Sequence, residues 1–547
     1  MGGSVALVSP GLAKFPDPEA NQLASFTAGD AINTKNDHID LLQRQLIANG
    51  DSGKVQIVNF GDVSSADRLH SLDQLIGAVM PASTGGLSAV SSPFFVLLCC
   101  TTPPQAPDGS WDELAPVVVY PSFGQDYQSL TSTTTRTKGL IALRDVAPTI
   151  LQLVGAPIPE SMTGAPAIPT VLANRDKVLT RMLTITRLGQ QVIVPLCWFL
   201  GLAALFAVAG GAWAAAGRSV PNPGLVCYLL RLVIAAPLAL LFAPCFPMAT
   251  VNAYMAALIG LDLVIALIDS PTLLIFATSI VILVDGMTGS HLIAVTVVSG
   301  YWLSGIRFYG IGNEFMGVLI GMSLLAPVMI FENRSLRLSK GAKAILTFLF
   351  YLLVIFILSY PAFGAKAGGA VTSVVTFTLA WFAIFANKRP TWLGFGAATV
   401  CGFAFVFALT VFANRLHAPP SHIQTAVAAV HQGRLGYIKH VALRKAKMAV
   451  KTILTPGGAA AIVGLIPLWI FWRRSALKVH ADEFLLSRQE LHGALNAGAW
   501  GLVGTLLFND SGGVAFLFFF GAMALVLLHE MVRTECVSSR LTSAMSV

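Results

Sequence analysis

Long apolar runs constrain this chain more than any other feature of its sequence. A transmembrane helix needs about 17 to 25 predominantly apolar residues. Eight runs reach that length: 191–213, 225–244, 249–268, 315–331, 344–362, 367–386, 392–413 and 514–531. Three shorter runs are further candidates: 271–284, 457–472 and 495–508. Hydrophobic residues fill 55% of the 547 positions, so the sequence predicts a multi-pass integral membrane protein.

The charge balance differs between the two ends of the chain. Residues 1–181 carry 11 Lys and Arg against 16 Asp and Glu, whereas the remainder carries 24 against 11. A basic membrane region is typical of cytoplasmic loops that lie close to anionic lipid. We therefore predict membrane lipids as partners and no nucleic acid.

Residues 1–185 have the composition of a soluble α/β domain. Short β-rich runs alternate in it with helix-like ones. The segment from Gly139 to Gly164 resembles the C-terminal segment of alkaline-phosphatase and sulfatase superfamily domains. The run Val58–Asp62, followed by a helix-like stretch with Asp73, is similar to the strand and helix before the metal site of that superfamily. The resemblance implies a related fold over roughly residues 50–170.

The residues expected for that superfamily's chemistry are missing. Its enzymes use a Ser or Thr nucleophile and Asp and His ligands that hold two metals. In that superfamily an Asp-His pair would follow the strand that here ends at Cys100, but this sequence reads Thr101-Thr102-Pro103-Pro104. His38 and His70 are the domain's only histidines. The start of the chain also lacks the pattern of a signal peptide and falls inside the first half of such a fold. We expect a degenerate, truncated domain without a metal or cofactor, and whether the protein is an enzyme stays open.

Basic residues beside the apolar runs predict the topology of residues 186–547. Lys and Arg concentrate in cytoplasmic loops, and here they cluster at 334–343, 388–389, 473–478 and 533. If successive spans cross the membrane in alternating directions from these cytoplasmic anchors, the chain has about eleven spans, provided that the short run 292–303 re-enters or lies at the surface. The soluble domain, the segment 285–314 and the loop 414–456 then face outside. If 292–303 spans, the soluble domain is instead cytoplasmic.

Polar residues interrupt the apolar runs between 285 and 314. They include Asp285, His291, Arg307, Asn313 and Glu314. Charged residues at membrane depth usually face a cavity. Glycines at 305, 310 and 312 permit unwound backbone, whose N–H groups and Arg307 predict binding of a phosphate or carboxylate. The alternative is an Arg307–Glu314 salt bridge or a plain loop.

Two further polar clusters lie on the same predicted outer side. In the first, 509–513, substrate binding by Asn509 and Asp510 competes with the interpretation of a capped helix turn. The second, 414–456, contains His422, Arg434 and a run of other basic residues, and the alternative there is an interfacial helix. Because all three clusters share one face with the soluble domain in the favoured topology, we predict a site assembled on that face.

The polar clusters together resemble those of an uncharacterised bacterial polytopic membrane family that carries an alkaline-phosphatase-like domain before its helices. The resemblance rests on Asp285 with Thr288-Gly, Arg307 to Glu314, Ser421-His422 and Asn509 to Gly512. It implies a multi-pass protein of the bacterial cell membrane with the soluble domain outside. It implies no established reaction, so the function has to be argued from the site.

Our leading hypothesis is a protein that transports, flips or transfers a lipid-linked or anionic envelope substrate at the outer face. Arg307, Asn313, Arg434, Asn509 and Asp510 are the predicted substrate-binding residues. Asp285, His291, Glu314 and His422 are the candidates for proton transfer or catalysis. Two alternatives stay open, a phospho- or glycotransferase of the outer face and a non-catalytic scaffold for envelope machinery.

Overall fold

A computed structural model describes most of the second half of the chain and parts of the first. The described residues are 5–8, 55–58, 96–99, 115, 117–120, 129–153, 155–159, 162, 164–215, 222–246, 250–299, 308–332, 337–415, 443, 447, 476–509 and 512–545. The chain forms two compact units, Met1–Arg175 and Asp176–Val547. Each is described by itself.

The described residues of the first unit form three pairs of strands, a 3₁₀ turn at Leu143–Asp145 and one α-helix. The strands are β1 (Val5–Val8), β2 (Val55–Val58), β3 (Val96–Cys99), β4 (Val117–Tyr120), β5 (Ser129–Thr131) and β6 (Ile168–Thr170). The pair β1–β2 is parallel, and the pairs β3–β4 and β5–β6 are antiparallel. The helix α1 spans Val146–Leu153.

Asp145 organises the segment that carries the alkaline-phosphatase resemblance. The carboxylate is fully buried and accepts hydrogen bonds from Ser132 Oγ at 2.6 Å, Ala142 N at 2.9 Å and Ala165 N at 3.0 Å. A buried carboxylate is stable only with such donors. Asp145 therefore joins residues on both sides of α1 into one local unit.

Most residues on which the superfamily resemblance was tested lie outside the described part of the chain. This holds for His38, Asp62, His70, Asp73 and the stretch 101–104. The α/β domain of residues 1–185 therefore stays a prediction.

The second unit is a bundle of α-helices. Its helices are α2 (Arg175–Ala215), α3 (Pro223–Phe242), α4 (Val251–Ile265), α5 (Pro271–Met287), α6 (His291–Ala294), α7 (Asn313–Glu332), α8 (Lys340–Ser359), α9 (Ala367–Phe385), α10 (Trp392–Arg415), α11 (Ala476–Ser487), α12 (Gln489–Phe508) and α13 (Gly512–Met545).

Seven segments among the described residues are long and apolar enough to cross a membrane. They are Gln191–Trp213, Pro223–Cys245, Asn313–Glu332, Lys340–Ser359, Ala367–Phe385, Trp392–Ala413 and Gly512–Thr534. The membrane character of the chain is thus confirmed. The shorter α4 and α5, and the less apolar α12, coincide with three more predicted runs. The predicted run 457–472 lies outside the described residues, so a total of about eleven spans stays a prediction.

Local sequence signals explain where several of these helices begin. The side chains of Asn222, Thr250, Ser270 and Ser339 each accept the backbone N–H three residues later, at 3.1–3.2 Å. A short polar side chain at this position satisfies one of the N–H groups that a helix start leaves unpaired. Pro follows immediately at the first position of α3 and of α5, where its missing N–H costs nothing.

The helix α7 is the centre of the bundle. It packs against α5, α8, α9, α12 and α13, and its residues from Glu314 to Met329 are all buried. Gly317 and Gly321 let α13 approach closely, because a Cβ at Gly317 would lie 2.4 Å from the Ala515 carbonyl oxygen. Small residues spaced by four are typical of close helix contacts in membranes.

The two ends of the bundle are distinguished by their polar residues. At one end Ile311 N donates to the Gly364 carbonyl at 3.1 Å, and Asn509 Nδ2 donates to Thr372 Oγ1 at 3.2 Å. We call this the Asp285 end. Arg488, at the opposite end, contacts both Glu332 and Glu530, and we call that the Glu530 end.

The segment between α5 and α7 begins and ends at the Asp285 end of the bundle. A Cβ at Gly286 would lie 3.2 Å from the Ile311 side chain, which shows that the two flanks of the segment are adjacent. Residues 300–307 of this segment, including Arg307, lie outside the described part of the chain.

Candidate functional site

Asp285 is a structural cap. It is 4% exposed, and its Oδ1 and Oδ2 accept the backbone N–H groups of Leu292 at 2.8 Å and Ile293 at 2.9 Å. Gly289 and Ser290 turn the chain back towards it with φ of 109° and 59°. Both carboxylate oxygens are thus engaged in holding the single turn α6 against the end of α5, and α6 also carries His291, whose side chain is exposed.

We expect Asp285→Ala to loosen α6 without unfolding the bundle. Hydrogen bonds to a charged group contribute about 1.5–3 kcal/mol each. The amides of Leu292 and Ile293 should therefore exchange with deuterium at least roughly tenfold faster in the variant. His291→Ala is the matched control and should leave both rates unchanged. Unaltered exchange in Asp285→Ala would show that the cap contributes nothing.

Buried oxygens converge beside Gly312 at the same end. A Cβ at Gly312 would lie 2.4 Å from Ser299 Oγ and 2.8 Å from Glu314 Oε2, so both oxygens face one point. Ser299 is 4% and Glu314 5% exposed. Within the described residues, Ser299 Oγ and Asn313 Oδ1 are buried and make no hydrogen bond. The structure thus brings the predicted residue Glu314 together with Ser299, which the sequence analysis did not single out, and the predicted residue Asn313 begins the same helix α7.

Asn509 joins two helices. Its Nδ2 donates to Thr372 Oγ1 at 3.2 Å and to the Thr505 carbonyl at 3.1 Å, and the residue is 5% exposed. The side chain therefore ties the end of α12 to α9. The remaining predicted site residues, His422, Arg434 and Asp510, lie outside the described part of the chain, as does Arg307.

A groove of about 530 Å³, lined by both polar and apolar side chains, opens at the Asp285 end between α2 and the start of α4. Its lining includes Thr184, Arg187, Leu188, Gln191, Thr250 and Asn252. Two contacts place this part of α2: Gly189 lies against Val297, and Arg181 Nη2 donates to the Pro244 carbonyl at 3.0 Å.

The groove sits where the apolar part of α2 begins. Thr184, Arg187 and Gln191 are spaced by three and four, which puts them on one face of the helix. The membrane-spanning segment starts at Gln191. Arg187 therefore lies one turn before the apolar span, at the depth of lipid headgroups. This face was not predictable from the sequence, because the groove forms only where the start of α4 lies beside α2.

Charged residues that the sequence analysis did not name lie inside the bundle. Arg231 of α3 donates from Nε to the Ala266 carbonyl at 3.1 Å and forms an ion pair with Asp269. Asp262 of α4 is 1% exposed. Each is a single charge within or beside an otherwise apolar run, and that isolation is the sequence signal that could have identified them.

Comparison with known proteins adds no further constraint to this site. No family model, no curated protein and no solved structure matches the chain. Among the described residues, no three His, Cys, Asp or Glu side chains come together as a metal ion would require. The function therefore has to be inferred from the arrangement of the residues themselves.

Proposed function

We propose that this chain is a multi-pass protein of the bacterial cell membrane that moves a lipid-linked anionic envelope substrate, engaging it at the Asp285 end. The groove between α2 and α4 carries the proposal. It offers a guanidinium at Arg187 with hydroxyl and amide groups at headgroup depth, which is the chemistry that recognises a phosphate. The groove lies beside the lipid-facing side of α2, where Trp198 and Leu205 are exposed.

The loops support placing the Asp285 end outside. Among the described connections between helices, those at the Glu530 end contain Arg337, Lys388 and Arg389, whereas the α8–α9 connection at the Asp285 end contains only Lys366. Short basic loops are retained in the cytoplasm. Two predictions from the sequence are part of the proposal: that Arg307 contributes to this outer face, and that residues 1–185 are alkaline-phosphatase-like.

Movement is favoured over chemical transfer by the state of the predicted acid–base residues. Asp285 is buried and holds two backbone amides of α6. A general acid or base has to reach the reacting atom with a free lone pair or proton. Glu314 and the polar atoms beside Gly312 are buried, which suits them to a translocation path inside the bundle.

The test is lipid movement in proteoliposomes. A fluorescent polyprenyl phosphate is placed in both leaflets, and dithionite added outside bleaches only the outer-leaflet probe. We expect the protein to make the inner-leaflet probe accessible. Arg187→Ala should slow this movement roughly tenfold, because a charge-assisted hydrogen bond to the phosphate is lost.

Two controls separate binding from folding. Arg337→Ala removes an exposed positive charge at the opposite end and should move the probe as the parent protein does. The melting temperature of Arg187→Ala in detergent should match that of the parent. Probe movement no faster than in protein-free liposomes would refute transport. Unchanged movement in Arg187→Ala would refute the proposal that the groove binds the substrate.

A further inference from the structure

Asp262 is a carboxyl group buried in the membrane part of the bundle. Tyr254, Leu258 and Asp262 are spaced by four and form the buried stripe of α4. The opposite face of the helix exposes Leu263 and Val264. Asp262 is 1% exposed and therefore points into the protein and not towards lipid.

Neither carboxylate oxygen of Asp262 has a hydrogen-bond partner among the described residues. The neighbouring helix α3 offers two titratable groups towards α4, and both are engaged elsewhere. Tyr228 Oη donates to the Leu263 carbonyl at 3.0 Å, and Arg231 binds the Ala266 carbonyl and Asp269. On α4 itself, the buried Tyr254 lies about 12 Å away along the helix axis.

Three aspartates of this region thus have three different environments. Asp269 has the guanidinium of Arg231, and Asp285 has two backbone N–H donors. Each of these arrangements stabilises an ionised carboxylate. Asp262 has neither a counter-charge nor donors in the described structure, and an isolated charge in a medium of low dielectric is strongly unfavourable. A neutral carboxylic acid fits its surroundings.

A short hairpin places this buried carboxyl near the exposed side chain of Asp269. The α4–α5 turn lies opposite Arg231, which is eight residues or about 12 Å inside the start of α3. The turn therefore ends about 12 Å short of the first residues of α3 at the Glu530 end. Its Asp269 side chain is 82% exposed. Asp262 lies within one helical turn of the end of α4.

We propose that Asp262 is a proton-binding site whose protonation is coupled to the movement of the anionic substrate. The carboxyl O–H bond is intact in the described conformation. A shift of α4 against α3 exposes the group to water beside Asp269, where the proton leaves and the carboxylate is left ionised. Rebinding a proton from water restores the buried form. The coupling rests on the proposed transport function, whereas the proton binding does not.

Carbodiimide labelling tests the proton binding directly. Dicyclohexylcarbodiimide dissolves in apolar regions and reacts with protonated carboxyls, whereas a water-soluble carbodiimide reports exposed ones. We expect mass spectrometry to find the apolar reagent on Asp262 and not on Asp285, with the exposed Asp482 as a positive control for the water-soluble reagent. An unlabelled Asp262 would overturn the proposal.

The variant Asp262→Asn distinguishes an Asp262 that is neutral and binds a proton from one that is ionised and stabilises the fold through an ion pair. Asn resembles the neutral acid in shape and polarity, so the melting temperature should be unchanged and the label at this position lost. A large fall in melting temperature would show that an ionised Asp262 holds the fold together, which contradicts the proposal.

Proteoliposomes then test the coupling. A pH gradient should change the rate of polyprenyl phosphate movement by the parent protein, and Asp262→Asn should move the probe at a rate that no longer responds to the gradient. A parent protein that moves the probe without responding to the gradient would overturn coupling. A parent protein that moves no probe would refute the proposed transport, while the labelling result would still decide whether Asp262 holds a proton.

Discussion

Replacing Arg488 with alanine is expected to destabilise the bundle by roughly 3 kcal/mol, because it removes the only cation among the described residues that contacts two acidic side chains at the Glu530 end. The Arg488 guanidinium lies 2.9 Å from Glu530 and 3.4 Å from Glu332, and it stacks over the Phe484 ring at 4.7 Å. Breaking a buried pair leaves a charge without compensation, which costs more than the pair itself contributes.

The position of this cluster explains the size of the effect. Glu332 ends α7, Arg488 precedes α12 and Glu530 belongs to α13, so one side chain joins three helices. The Glu530 side chain is 9% exposed, and His529 beside it is 1% exposed. Water therefore has little access to the Glu530 carboxylate, which loses its ion-pair partner in Arg488→Ala.

The measurement is the melting temperature of the purified protein in detergent. Arg488→Ala should melt several degrees lower than the parent. Arg337→Ala removes an exposed arginine at the same end and should have the same melting temperature as the parent. Adding Glu530→Gln to Arg488→Ala should restore part of the loss, since it removes the unpaired charge. Equal melting of Arg488→Ala and Arg337→Ala would show that the three-helix ion cluster does not stabilise the fold.

Gly317→Ala is the second variant for which we expect a large effect. The added Cβ would lie 2.4 Å from the Ala515 carbonyl oxygen and 3.0 Å from Phe519 N. Both are backbone atoms of α13 and cannot turn aside as a side chain does. Inserting one methyl group into a packed core typically costs about 1–3 kcal/mol, occasionally more, and here the whole of α13 has to shift away from α7.

Gly260→Ala is the matched control, because the exposed face of α4 leaves open space around that position. We expect Gly317→Ala to lower both the melting temperature and the yield of monodisperse protein on size exclusion, and Gly260→Ala to change neither. If the two variants behave alike, α7 and α13 do not pack as closely as the structure shows.

The membrane helices were predictable from sequence because the bilayer imposes one simple requirement on each of them. The predicted run 367–386 became the helix Ala367–Phe385, and 315–331 became Asn313–Glu332. Length and hydrophobicity suffice for such a prediction. The caps at Asn222 and Thr250 depend on residues only three apart, so they too are local signals.

The roles of the polar residues were not predictable in the same way. The sequence presents Asp262, Asp269 and Asp285 as similar single acids near apolar runs, and only the packing shows which has an arginine, which has backbone donors and which has neither. Arg187 was overlooked for the same reason, since the groove depends on the start of α4 lying beside α2. These are contacts between residues far apart in sequence.

Cysteine accessibility tests the arrangement of the two ends most directly. In a background without native cysteines, T288C places a thiol on an exposed turn at the Asp285 end, and N387C places one on an exposed turn at the Glu530 end. We predict that a membrane-impermeant maleimide added to intact cells labels T288C, and labels N387C only after the membrane is permeabilised. Labelling of both positions from outside would contradict the bundle topology. Labelling of N387C alone would reverse the orientation and place the proposed substrate groove in the cytoplasm.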